Sequence, residues 1–150
     1  MAPSRCGMRV RISLAVIGII VGLAVLGVFG VKFKNWSAAI WGAISGVFAA
    51  VTLYVHIQYI RDIWKTFFYK LKYLMYTGCF VQLAGVCGFI VYLTLGIVQK
   101  IVFTEFYGEN YYLTCVWCFM TWKWGFALFY YSRSYRRLYE DTYLISNQEE

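Results

Sequence analysis

ISLAVIGIIVGLAVLGVFGV, residues 12–31, runs for twenty positions without an ionisable side chain. About 20 mostly apolar residues suffice for a helix to cross roughly 30 Å of hydrocarbon, so this stretch is a span on its own. Three further blocks follow. Residues 38–60 carry His56 besides two tyrosines, residues 73–98 are long enough to tilt, and residues 112–131 are interrupted by Lys123. The reading is all-α: an integral membrane four-helix bundle, one transmembrane domain over 1–150, with a cytoplasmic tail at 132–150. Composition agrees. Of the 150 residues, 61% are hydrophobic and 14% charged, whereas soluble domains run nearer half apolar and about a quarter charged. A disordered chain is excluded by the same figures.

The net charge of +7 would suggest nucleic acid in a soluble protein. Here the basic residues sit at the ends of apolar blocks, so the partner is the lipid bilayer with its anionic headgroups, and no nucleic acid is expected. Arg5, Arg9, Arg11, Arg61, Lys65, Lys70, Lys72, Arg133, Arg136 and Arg137 fall on one side. Lys32, Lys34 and Lys100 fall on the other. That asymmetry predicts both termini in the cytoplasm. The first run is longer than a signal-peptide core and lacks a small-x-small cleavage site, so it is read as a retained helix. The sequon Asn35-Trp36-Ser37 lies in a six-residue loop against the bilayer, a poor place for glycosylation. Cys6, Cys79, Cys87, Cys115 and Cys118 lie mostly within the blocks, as reduced thiols rather than a disulfide frame.

Within the second block, Trp41, Ser45, Thr52, His56 and Tyr59 fall on one stripe, within about 40° of a mean line at 100° per residue. Polar groups in hydrocarbon face protein or a wet cavity, so the stripe is a hydrogen-bonding seam or a functional site. His56 is four residues from the cytoplasmic end of its block. Ala38, Gly42, Gly46 and Ala50, with Gly18 and Gly22, form small-residue faces for close helix packing or for self-association into a homo-oligomer. Lys123, between Trp122 and Trp124, puts an ammonium deep in the fourth block with no acidic residue in any span. It snorkels to the headgroups or meets a carboxylate carried by a substrate.

Cys115-Val116-Trp117-Cys118 is similar to the pair of the four-helix vitamin K epoxide reductases. Those enzymes need a second pair in a non-cytoplasmic loop, and no cysteine is present in either such loop here. In the tail, Tyr135-Arg136-Arg137-Leu138 is a tyrosine-x-x-bulky pattern. Glu140, Leu144 and Ile145 form an acidic-dileucine pattern, readable by sorting adaptors that take up an extended tail.

Several combinations together resemble the haem-responsive-gene family of small four-helix haem transporters. They are Met1-Ala2-Pro3-Ser4-Arg5, HIQYIRDIW at residues 56–64, Tyr111-Tyr112-Leu113, Val116-Trp117, Phe119 and Lys123-Trp124. The resemblance implies haem passage toward the cytosol from endosomal or lysosomal lumen or from the cell exterior, with an intramembrane His that falls on His56. It also implies an aromatic-x-basic-basic-Tyr motif past the fourth helix, here Tyr131-Ser132-Arg133-Ser134-Tyr135, with Ser134 departing from the pattern. Relatives carry a His in the last non-cytoplasmic loop. This chain has one His, and Tyr107, Tyr111 and Tyr112 are the stand-ins for it.

The chemistry of the residues suits such a cargo. Haem brings an iron that takes His, Tyr or Cys donors, a flat apolar macrocycle and two propionates. His56, the many aromatics, Lys123 and Arg133 answer each in turn. The expectation is a transporter and not an enzyme, with haem as transported substrate and no permanent cofactor. His56 is a transient iron ligand, Lys123 pairs a propionate, and Tyr131, Arg133 and Tyr135 form the exit. Two alternatives stand beside it: a four-helix thiol or quinone oxidoreductase using Cys115 and Cys118, and a non-catalytic assembly or trafficking protein that organises a larger complex such as a proton pump.

Overall fold

The computed structural model describes residues 2–148. Met1 of the N-terminal resemblance and residues 149–150 of the tail lie outside the described residues. The described chain is helical: α1 Arg5–Gly27, a wide π turn Val28–Lys32, α2 Trp36–Ile60, a one-turn α3 Trp64–Phe67, α4 Lys70–Val98 and α5 Tyr111–Gln148. The runs Arg5–Lys32, Trp36–Ile60 and Lys70–Val98 are long and apolar enough to cross a membrane. α5 has the length, but the polar and charged residues along it lower its hydropathy, so the expected fourth span is a helix without being equally apolar.

Two boundaries differ from the sequence expectation. α1 begins at Arg5 rather than 12, because the Ser4 hydroxyl accepts from Gly7 N at 3.1 Å and caps the first turn. The tail is not extended. Residues 132–148 continue α5 without a break, because Leu128, Tyr135 and Tyr139 carry its buried row onward at helical spacing. Arg136 Nε donates to Glu140 at 2.8 Å on the neighbouring face. At 38 residues α5 is about 57 Å long, well beyond hydrocarbon thickness. Glu140, Leu144 and Ile145 therefore sit on a helix with Leu144 and Ile145 exposed, and an adaptor that takes extended peptide could read them only after this end unwinds.

The helices alternate in direction, bringing the start of α1, the α2–α4 link and the far part of α5 to one end. The main packing runs in the order α1–α2–α5–α4. Glycines set the spacing. A Cβ on Gly22 of α1 would lie 2.6 Å from the Cα of Gly46, and one on Gly78 of α4 would lie 2.6 Å from the backbone N of Phe129 in α5. Without a hydrophobic force between helices in lipid, such close backbone approach supplies the van der Waals contact that holds them. Large apolar side chains such as Ile20, Leu23, Phe80 and Val91 point outward, as a lipid-facing surface requires. The link between α2 and α4 inserts Trp64, 2% exposed, whose indole N–H donates to Val55 O at 3.1 Å.

Candidate functional site

Near the end that gathers the start of α1 and the far part of α5, α1, α2 and α5 supply the side chains of one buried cluster. His56 of α2 is 1% exposed, and its Nδ1 lies 2.8 Å from the Tyr135 hydroxyl. The Tyr131 ring meets the imidazole edge-on at 4.6 Å. Tyr59 stacks on Tyr135 with centroids 4.2 Å apart and planes 11° from parallel. From α1, Arg11 donates to the Tyr135 hydroxyl at 3.4 Å and places its guanidinium 4.7 Å from the Tyr131 centroid. Met8 Sδ is 3.8 Å from the same hydroxyl. Further along the row, burial and then the nearby Asp62 push the Tyr139 phenol up to about 12, so it stays protonated at cellular pH.

Beside the imidazole is a cavity of about 100 Å³ lined by Arg11, Thr52, His56, Lys123, Trp124 and Tyr131, among others. Its polar lining is only partly satisfied: His56 Nε2 and Trp124 Nε1 are buried without a hydrogen-bond partner. Thr52 spends its hydroxyl proton on Phe48 O at 2.8 Å. The Lys123 ammonium lies 5.0 Å from the Trp124 ring, and among the described residues it has no carboxylate partner. Two cations, a buried imidazole and aromatic faces thus border one small space. Such a lining suits an anionic, aromatic, metal-bearing molecule. Sites that enclose such a molecule run to roughly 300–1,000 Å³, so this space is smaller than such a molecule needs.

The structure separates residues that the sequence grouped. Tyr131 and Tyr135 turn toward His56, whereas Arg133 is exposed on another face of α5, 5.9 Å from the Phe129 ring. There it borders open grooves with Arg137. Ser134 is exposed as well. Tyr107, Tyr111 and Tyr112 lie at the opposite end of the molecule, across the twenty residues of α2 from Trp36 to His56, about 30 Å. Tyr107 is exposed, Tyr111 packs on Tyr92, and Tyr112 packs on Phe103. Cys115 and Cys118 are free, buried thiols, with Cys115 Sγ 3.6 Å from Phe89 O; they are packed into the α4–α5 interface.

Sequence reasoning passed over Met8 and used Arg11 only in the charge count that set the orientation. The available signal was Ser4, a helix-capping residue directly ahead of a possible first turn. It also left the Asn35 region as a bare loop. Asn35 is fully buried; its Oδ1 accepts from Ala38 N and its Nδ2 donates to Asn110 O. That burial gives the poor glycosylation prospect a structural reason.

A helical chain with three membrane-length apolar helices, and an imidazole buried among α1, α2 and α5, has the make-up of a multi-pass membrane protein. Comparison with known proteins narrows this. A family described as haem-transporter, endosomal/lysosomal, haem-responsive gene matches residues 71–124. The chain is 29% identical over 151 residues to the heme transporter hrg-4 of Caenorhabditis elegans, covering 87% of this chain and 81% of that protein. Heme transporters hrg-1 and hrg-5 of the same worm are 26% and 27% identical, covering 90% and 75% of this chain and 71% of each of those proteins. No solved structure matches. The matches support the haem-responsive-gene family that the sequence resembles.

Proposed function

We propose that this protein is a haem transporter of endosomal and lysosomal membranes that delivers haem from the lumen to the cytosol. It spans the bilayer four times as a single transmembrane domain, with α5 as the fourth crossing and both termini cytoplasmic. The same activity extends to the plasma membrane, with the cell exterior in place of the lumen. The observation that carries the reading is the assembly of His56, Tyr131, Lys123 and Arg11 around one cavity, in a chain whose relatives are named heme transporters.

His56 serves as a transient iron ligand through Nε2, the nitrogen with no protein partner. A single imidazole backed by tyrosines gives exchangeable ligation, which passage requires and two fixed axial histidines would prevent. Tyr131 and Trp124 offer faces to the macrocycle. The exposed Lys123 and the half-buried Arg11 pair the propionates through charge-assisted contacts. Arg133, on the outer face, receives the propionates after release. Tyr107, Tyr111 and Tyr112, at the other end of the helices, make the first contact. Tail adaptors at Glu140, Leu144 and Ile145, a proton-pump association and a homo-oligomer belong to the same reading. The chain is a carrier of haem as substrate and holds no permanent cofactor.

The experiment is rescue of a haem-auxotrophic cell at low haem. Wild type restores growth and His56→Ala at equal surface expression does not. Equal growth would remove His56 from the path, and purified protein in liposomes that moves no haem would remove the transport reading itself.

A further inference from the structure

The hydroxyl of Tyr135 is the junction of three neighbours with different hydrogen-bonding abilities. It owns one proton and two lone pairs. Met8 Sδ, 3.8 Å away, can only accept. Arg11 Nη1, 3.4 Å away, can only donate. His56 Nδ1, 2.8 Å away, can do either, according to its tautomer.

One assignment satisfies all of them. The Tyr135 proton goes to the Met8 thioether, and the two lone pairs take Arg11 N–H and His56 Nδ1–H. Nε2 then bears a lone pair and no proton. The opposite assignment sends the Tyr135 proton to Nδ1 and puts a hydrogen on Nε2. That hydrogen would be buried with no acceptor, because Nε2 has no partner in the structure, and Met8 would lose its donor. Orphaned buried N–H groups are rarer in folded proteins than under-used acceptors. A free imidazole lone pair is also the form that ligates a metal.

We propose that Met8 and Arg11 of α1, acting through the Tyr135 hydroxyl, hold His56 as its Nδ1–H tautomer and keep the Nε2 lone pair free. This rests on the reading that His56 meets the iron, and it assigns to α1 a task beyond crossing the membrane. Met8 and Arg11 are positioning residues. In metal sites generally, the group bonded to the far nitrogen of a ligating His fixes the tautomer and the ring orientation.

The chain contains one histidine, so uniform ¹⁵N-histidine labelling yields a single imidazole spectrum. In the full-length protein reconstituted in lipid nanodiscs at mildly alkaline pH, the expected signals are a protonated, pyrrole-type Nδ1 and a bare, pyridine-type Nε2. Met8→Leu keeps the apolar volume and removes the acceptor, so population should move toward Nε2–H. A second, uniformly ¹⁵N-labelled sample whose backbone amide dispersion matches wild type establishes that the variant is folded. A wild-type spectrum with the proton on Nε2 overturns the proposal, as does a Met8→Leu spectrum with unchanged nitrogen shifts. Haemin titration supplies the second readout: Met8→Leu should weaken the His-dependent Soret component about tenfold, the usual size of a lost outer partner. The two readings fail separately. If the nitrogen shifts behave as expected but His56→Ala binds haemin like wild type, the ligand role of His56 falls and the tautomer assignment stands.

Discussion

The two ends of this molecule are built on opposite principles. At the end holding the start of α1 and the far part of α5, aromatic rings, cations and one imidazole meet around a cavity, and buried polar atoms such as His56 Nε2 and Trp124 Nε1 are left unpaired. At the other end, two loops close on each other with their polar groups well matched. Glu109 accepts from Trp36 N at 2.9 Å and caps α2, while Gly108 N donates to Phe33 O at 2.6 Å. Asn110 is buried. Its Nδ2 donates to Glu105 O at 2.6 Å, and its Oδ1 accepts from Tyr112 N at 3.1 Å to start α5. Unspent hydrogen-bonding capacity lies at the end where the binding site is proposed. Saturated capacity marks the end that holds the helices in place.

The contrast can be broken by substitution. The largest effect is expected of His56→Ala, which on the proposed ligand role should lower haem transport by about tenfold or more, at least what an outer partner of a metal ligand costs; uptake by proteoliposomes checks it. Lys123→Met should lower haem affinity by about threefold to tenfold through loss of a charge-assisted contact. Binding of a porphyrin with esterified propionates should be unchanged by that variant, and an equal loss for both porphyrins would remove the ion-pairing role. At the opposite end the readout changes from affinity to stability. Asn110→Ala should cost about 2 kcal/mol, because it strips the cap from α5 and leaves several carbonyls unpaired. Thermal unfolding in detergent would show it, with transport per folded molecule retained. Glu109→Gln should cost about 0.5–1 kcal/mol, since an amide oxygen still accepts but no longer offers negative charge to the helix N-terminus. A large transport defect in either loop variant, at normal stability, would mean that this end also handles cargo.

Much of this was legible in the chain. The apolar runs located α1, α2 and α4 to within a few residues at most of their ends, because lipid imposes a length and forbids charge within it. The stripe of Ser45, Thr52 and His56 was readable from spacing alone, and all three are buried. The small residues of α1 and α2 were readable as a packing face, and Gly22 indeed lies against Gly46. Illegible were the facts that depend on three helices at once. Met8 and Arg11 precede the apolar run and join the helix only because Ser4 caps it ahead of them. The motif Tyr131-Ser132-Arg133-Ser134-Tyr135 reads as one unit in sequence. Helical geometry divides it, turning positions 131 and 135 inward and 133 outward. The tail reads as a peptide signal because its short patterns are local, while its helix is held by the distant contacts of Tyr139 with Tyr59.

From the sequence alone came an all-helical chain with membrane-length spans and a single imidazole carried on the polar stripe of one of them. Period and hydropathy are properties of neighbours along the chain, and lipid turns them directly into helix position and facing. Only the tertiary structure decided which nitrogen of that imidazole is engaged and which cations stand beside it. Those outcomes depend on how α1, α2 and α5 are seated against one another, and a hydrogen bond spanning more than a hundred residues leaves no periodic trace in the sequence.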